Sequence, residues 1–148
     1  MSIKIFNIKK TSDFSLINKS GSKFFLKDLI IIQYQNPDPK LISHNCKNNN
    51  DRKLHDQLDQ EQNLTIDKNS LINCRVGYTV SKSVSKLSTT RNFIKRRLKS
   101  VVKNNHKLLQ SNHDYVFIAR KTIIESSFAE LEKNIKFALK KLIKNEQK

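Results

Sequence analysis

Arg91, Lys95, Arg96, Arg97 and Lys99 crowd into the run Thr89-Thr90-Arg91-Asn92-Phe93-Ile94-Lys95-Arg96-Arg97-Leu98-Lys99. That density of cations suits one kind of chemistry, the neutralisation of a polyanion by charge. As a helix, the run places Ile94, Leu98, Val101 and Leu108 on one apolar face. Arg91, Lys95, Lys99 and Lys103 follow at steps of four on an adjacent stripe, with Asn92 and Arg96 flanking it. Thr89 or Thr90 is placed to cap the first turn. A solvated charged face is the ordinary explanation for a basic helix. Here no acid occurs between Asp67 and Asp114, so local ion pairs do not account for the charge. The stripe reads as a binding surface for phosphates.

The elements that must position this helix are legible on either side of it. Arg75-Val76-Gly77-Tyr78-Thr79-Val80-Ser81-Lys82 alternates as a half-buried strand, with Val76, Tyr78 and Val80 on one side. The basic helix then runs from about Thr90 to Leu109, and His113 to Lys121 forms a strand apolar on both faces in its middle. Ser127-Phe128-Ala129-Glu130 is a capping box opening a last helix whose apolar face is Phe128, Leu131, Ile135, Leu139 and Leu142. Towards the N-terminus, Ile8 to Ile17 is weakly helical with Gly21 as a stop, and Lys23 to Gln35 reads as one strand.

Residues 36–69 differ in kind. They hold Asn36-Pro37-Asp38-Pro39 and Asn48-Asn49-Asn50-Asp51, nearly half of the 13 acids, and few of the 29 bases. Such a stretch buries too little apolar surface to offset its ordering entropy. It reads as a flexible polar insertion between strands of a single domain spanning residues 1–148, and the positive charge resides in the remainder. The expected fold is an α/β class, an α+β two-layer sandwich of order α-β-β-β-α-β-α around a mainly four-stranded sheet.

The formal net charge of +16 over 148 residues points to nucleic acid or an anionic surface as partner. No apolar run approaches the ~18 residues that cross a bilayer. The start, Met1-Ser2-Ile3-Lys4-Ile5-Phe6, lacks an apolar secretory core, so a soluble cytoplasmic protein is expected. Cys46 and Cys74 are too few and too far apart for a disulfide framework, and His44-x-Cys46 lacks a second ligand pair, so no protein metal site is expected. His44, His55, His106 and His113 accompany no nucleophile, and no catalytic residue is assigned.

Arg91-Asn92-x-x-Lys95-Arg96-Arg97-Leu98 resembles the signature helix of the bacterial ribonuclease P protein component. Arg75-Val76-Gly77, Ser81-Lys82, the strand from Tyr115 to Arg120-Lys121, and Lys9-Lys10-x-x-Asp13-Phe14-x-x-Ile17 before Gly21 and Phe24 match the family in order and spacing. The resemblance covers nearly everything outside 36–69. Three positions depart from the family pattern: Phe93 replaces a basic residue, residues 83–87 lack a glycine, and Asn18 replaces an aromatic. The resemblance implies a left-handed β-α-β crossover, against the general right-handed rule. It implies a protein that assists a catalytic RNA subunit in the Mg²⁺-dependent removal of the 5′ leader from precursor tRNA, the Mg²⁺ being held mainly by RNA.

On that resemblance, Arg91, Asn92, Lys95, Arg96, Arg97 and Lys99 are the candidates for binding the catalytic RNA. Arg97 lies nearer the apolar arc, where packing is an alternative, and Asn92 could cap, bond RNA or position a hydrated ion. Phe14, Phe24, Tyr34, Lys82 and Lys86 are the candidates for the leader, the aromatics by sequence-tolerant stacking. Phe14 is evenly balanced between stacking and core; Phe24 and Tyr34 lean towards core. Arg75 and Arg120 could join the basic field. Tyr115 and Phe117 belong to the core. The alternative to this reading is a ribosomal or RNA-assembly protein with a basic RNA-binding helix.

Overall fold

The structure is a computed structural model, described over residues 3–36 and 72–147; the proposed insertion beyond Asn36, with His44 and Cys46, lies outside the described residues. The elements are β1 (Ile3–Asn7), α1 (Thr11–Ser20), β2 (Ser22–Phe25), β3 (Leu29–Gln35), β4 (Ile72–Thr79), α2 (Ser88–Asn104), β5 (His113–Ala119) and α3 (Phe128–Glu146). The strands form one sheet in the order β1-β4-β5-β3-β2. β4 runs parallel to both β1 and β5, while β3 is antiparallel to β5 and β2. The basic helix α2 is therefore the crossover between two parallel, hydrogen-bonded strands.

The α/β class is as expected, and three details differ. β1 adds a fifth strand at the outer edge, pairing Ile5 with Cys74. The single strand expected at 23–35 is a hairpin, because Leu26 N–H closes on Leu29 O at 2.9 Å and folds β2 against β3; with β4 this makes the three strands that the expected order places before the basic helix. Helices lie on both sides of the sheet instead of one.

Strand alternation decides which side each residue serves. Cys74, Val76, Leu29, Ile31, Tyr115 and Phe117 point to the main core, which α2 covers with Ile94, Leu98, Val101 and Val102, and α3 with Leu131, Ile135, Ala138, Leu139 and Leu142. Phe128 is 40% exposed and leaves that face, since it directly follows the cap residue Ser127 at the helix start. Burial pushes the Cys74 thiol up to about 12, so it behaves as a small core residue. On the other side, Ile8, Ile17, Ile32 and Val116 form a smaller core under α1, with Phe14, Ile30, Tyr34 and Ile118 partly buried around it.

Two glycines admit α1 to the sheet. A Cβ at Gly77 would lie 2.5 Å from the Phe14 ring, and one at Gly21 would lie 2.5 Å from Ile32 Cγ2. Gly21 ends α1 with extended backbone, so space and not a left-handed turn requires it.

α2 stops at Asn104, earlier than its periodicity suggests. The buried Asn105 side chain donates to Val101 O at 2.9 Å and to Glu132 Oε1 at 3.2 Å, and a 3-10 turn at His106–Leu108 follows. Asn112, just before β5, takes a positive φ of 59°, which asparagine tolerates better than most residues.

Arg75 is the buried link between α1 and the sheet. Its Nε and Nη2 donate to the two carboxylate oxygens of Asp114 at 2.9 and 2.5 Å, and Nη1 donates to Asp13 on α1 at 3.1 Å. Asp114 is fully buried and Arg75 is 6% exposed, so Arg75 belongs to the interior and not to the surface field. Hydrogen bonding to Asp114 raises the Arg75 pKa further, and the guanidinium stays charged. Removing one member of such a pair strands a buried charge, at a cost of about 3–5 kcal/mol. Arg75→Met should lose about that much stability in urea unfolding, whereas Arg75→Met with Asp114→Leu should recover most of it. A loss below about 1 kcal/mol for the single variant would show that the pair does not hold α1 in place.

Candidate nucleic-acid interface

α2 is built against the ordinary rules of helix electrostatics. A helix N-terminus carries partial positive charge and favours acidic residues. α2 has no acid in its first turn, its N-cap residue Leu87 supplies no side-chain acceptor, and neither Thr89 nor Thr90 caps it. Its cations instead begin at Arg91. α3 obeys the rules in the same molecule: Ser127 and Glu130 form a complete capping box, and Lys144 stands in the last turn.

The cations of α2 divide by what they touch. Arg91 Nη1 donates to the carbonyls of Ser85 and Lys86 at 2.9 and 2.8 Å, fastening the segment that leads into the helix. Arg97 Nη2 donates to Ser126 O at 2.7 Å, and its guanidinium lies 5.7 Å from the Phe93 ring centroid, the packing role left open by its position near the apolar arc. Lys99 Nζ lies 6.0 Å from the Tyr78 ring centroid. Asn92, Lys95 and Arg96 make no side-chain hydrogen bond or ion pair among the described residues. Those three, with Lys99 and Lys103, form the outward surface of α2.

Among the described residues, every acid except the exposed Glu125 has a partner away from this surface. Asp13 and Asp114 hold Arg75, Glu130 caps α3, Glu132 holds Asn105, and Glu146 meets His113 Nε2 at 3.1 Å. Arg120 donates to Leu26 O at 3.1 Å across the hairpin turn.

The candidate leader residues do not form one group. Phe14 and Tyr34 share the smaller core under α1, both partly buried. Phe24 is separated from them by the sheet: it packs against the main core, its ring edge-on to Phe137 with centroids 6.3 Å apart. Its neighbour Phe25 faces the α1 side. Phe25 pairs with Ile30, Ile30 with Ile118, and Ile118 with Thr79, making a row across four strands in which Phe25 is 65% exposed. Lys82 and Lys86 are exposed in the segment that follows β4, at the Thr79 end of the same sheet. The sequence signal for Phe25 was the Phe24-Phe25 pair itself, since a strand sends one of two neighbours to each face.

This face and the outward side of α2 together offer cations beside partly exposed apolar and aromatic groups, the combination that binds single-stranded or irregular RNA. Among the described residues no three His, Cys, Asp or Glu side chains come together as a metal ligand set, and no helix is long and apolar enough to cross a membrane.

Comparison with known proteins agrees in sequence and in fold. The family model for Ribonuclease P matches residues 4–143. The ribonuclease P protein component of Streptococcus pneumoniae (strain Hungary19A-6) is 30% identical over 137 residues, 93% of this chain and 84% of its own length. The RNase P protein of Staphylococcus aureus superposes with a TM-score of 0.63 at 20% identity, over 93% of this chain and 94% of that one. That of Thermotoga maritima gives 0.62 at 17% identity, over 91% and 96%. With a family match across almost its whole length and the same fold around the basic crossover helix, the chain belongs to the ribonuclease P protein family.

Proposed function

We propose that this chain is the protein subunit of a ribonuclease P whose catalysis is carried by RNA. The outward side of α2 binds the catalytic RNA through Asn92, Lys95, Arg96 and Lys99, with Arg91 and Arg97 setting the helix in place. The α1 side of the sheet, with Phe14, Tyr34, Lys82 and Lys86 and the exposed ring of Phe25, receives the single-stranded 5′ leader of precursor tRNA. Mg²⁺ is assigned to the RNA, where it supports cleavage at the mature 5′ end. The setting is the cytoplasm.

The observation that carries this reading is the uncapped, acid-free N-terminal half of α2. Cations there oppose the helix dipole, the first turn holds no acid, and no carboxylate among the described residues forms an ion pair with them. An external polyanion supplies that charge. Phosphate binding also fits the division in which Arg91 and Arg97 fasten the helix to its surroundings while Lys95 and Arg96 have no partner among the described residues.

Two outcomes test the reading. The purified protein alone should leave precursor tRNA intact, yet raise 5′ processing by the cognate RNA subunit at low Mg²⁺, because protein cations replace metal ions in screening RNA–RNA repulsion. Robust cleavage by RNA-free protein would overturn the assignment of catalysis.

Substitution of the outward cations separates binding from folding. Lys95→Ala with Arg96→Ala should leave thermal stability nearly unchanged. It should lower the salt slope of RNA-subunit binding by roughly 0.7–0.9 for each phosphate that is no longer neutralised. Arg97→Ala should cost about 1 kcal/mol of stability through removal of its hydrogen bond to Ser126. An unchanged affinity and slope in the double variant would reduce the stripe to a solvated face.

A further inference from the structure

A cavity of about 460 Å³ opens between the outer edge of the sheet and the C-terminal half of α2. It lies on the opposite side of the sheet from α1, so it is separate from the surface proposed for the leader. Ile5, Tyr78 and Val102 give it apolar walls, and Lys99, Lys103 and His106 bring cationic or hydrogen-bonding groups, with Asn7 at the edge strand. The volume falls in the range of small-molecule sites, about 300–1,000 Å³.

Tyr78 is the organising side chain. Its ring stacks on the fully buried Phe117, with centroids 5.8 Å apart and planes at 19°, and this fixes it from the core side. Lys99 Nζ stands over the same ring at 6.0 Å. A planar aromatic ligand would take the place of that ammonium, and Lys99, on a flexible stem, would swing to a neighbouring anion. His106 Nδ1 lies 2.8 Å from Lys103 O, so its proton points to that carbonyl and Nε2 is left to accept a hydrogen bond.

We propose that this cavity seats one unpaired nucleotide of an RNA strand, its base against Tyr78 between Ile5 and Val102 and its phosphate between Lys99 and Lys103. The proposal rests on the reading of α2 as an RNA surface. Lys95, Lys99 and Lys103 rise along one side of the helix in steps of about 6 Å, so a strand following the first of them is led to the cavity by the other two. A site for a bare anion would need no aromatic wall, and a site for an apolar ligand would have no use for two exposed lysines at its rim.

The test uses amide spectra of the full chain titrated with AMP, with inorganic phosphate, and with a single-stranded RNA decamer of mixed sequence. AMP should shift the amides of Ile5, Tyr78 and Val102 saturably, inorganic phosphate should leave them in place, and the decamer should displace AMP. Tyr78→Phe should bind AMP like the parent, while Tyr78→Leu should weaken it by roughly tenfold, the low end of one base–aromatic stack. Lys99→Gln with Lys103→Gln gives a comparable weakening without touching the core, which keeps the test decisive if Tyr78→Leu folds poorly. Equal shifts from AMP and phosphate would reveal general attraction to a basic surface and overturn the proposal. AMP binding that the decamer cannot displace would overturn it as well, in favour of a free-nucleotide site. Neither readout involves the catalytic RNA subunit, so failure here is distinguishable from failure of RNA-subunit activation.

Discussion

Arg75 sits where the sheet, α1 and the buried carboxylate of Asp114 meet, and much of the molecule's usable surface follows from that contact. Asp114 is fully buried and would be untenable without a cation; Arg75 satisfies both of its oxygens through Nε and Nη2 and donates to Asp13 through Nη1. That last donor pins α1 to one end of the sheet. Gly77 permits the pinned helix to lay Phe14 directly on β4. Because α1 is short, the row from Phe25 to Thr79 remains only partly covered. An ion pair in the interior thus determines how much sheet is left open outside.

The same allocation of charge shapes the other side. Apart from Glu125, the carboxylates of the described residues cap α3 or hold partners away from α2, and the outward cations of α2 face solvent. Local rules are broken where an external partner is expected and obeyed elsewhere, as the contrast between the uncapped α2 and the boxed α3 shows. α2 carries two different surfaces along its length. Its first half presents unpartnered cations, and its second half brings Lys99 and Lys103 to an aromatic cavity.

Strong periodicity made α2, β4, β5 and α3 readable in the sequence, including the Ser127 capping box and the core roles of Tyr115 and Phe117. β1 was not readable, because a five-residue edge strand gains its identity from pairing with β4 and carries little pattern of its own. The hairpin at 26–29 was hidden inside an apolar run that suits either one strand or two. Arg75 looked like surface charge because its partners lie 62 and 39 residues away. Phe24 and Phe25 show the limit most clearly. Sequence alone singles out Phe24, and only the register of β2 against β3 shows that Phe25 is the one facing α1.

If this positive surface serves one particular RNA, that RNA should stay with the protein through isolation. The most direct measurement is to isolate the tagged full-length chain from its own cells at moderate salt and sequence the RNA that remains bound. A single species should dominate, the catalytic RNA of ribonuclease P, with precursor tRNAs carrying 5′ leaders as the minor fraction. Recovery of ribosomal RNA in proportion to its abundance, or of no RNA resistant to the salt wash, would contradict this expectation.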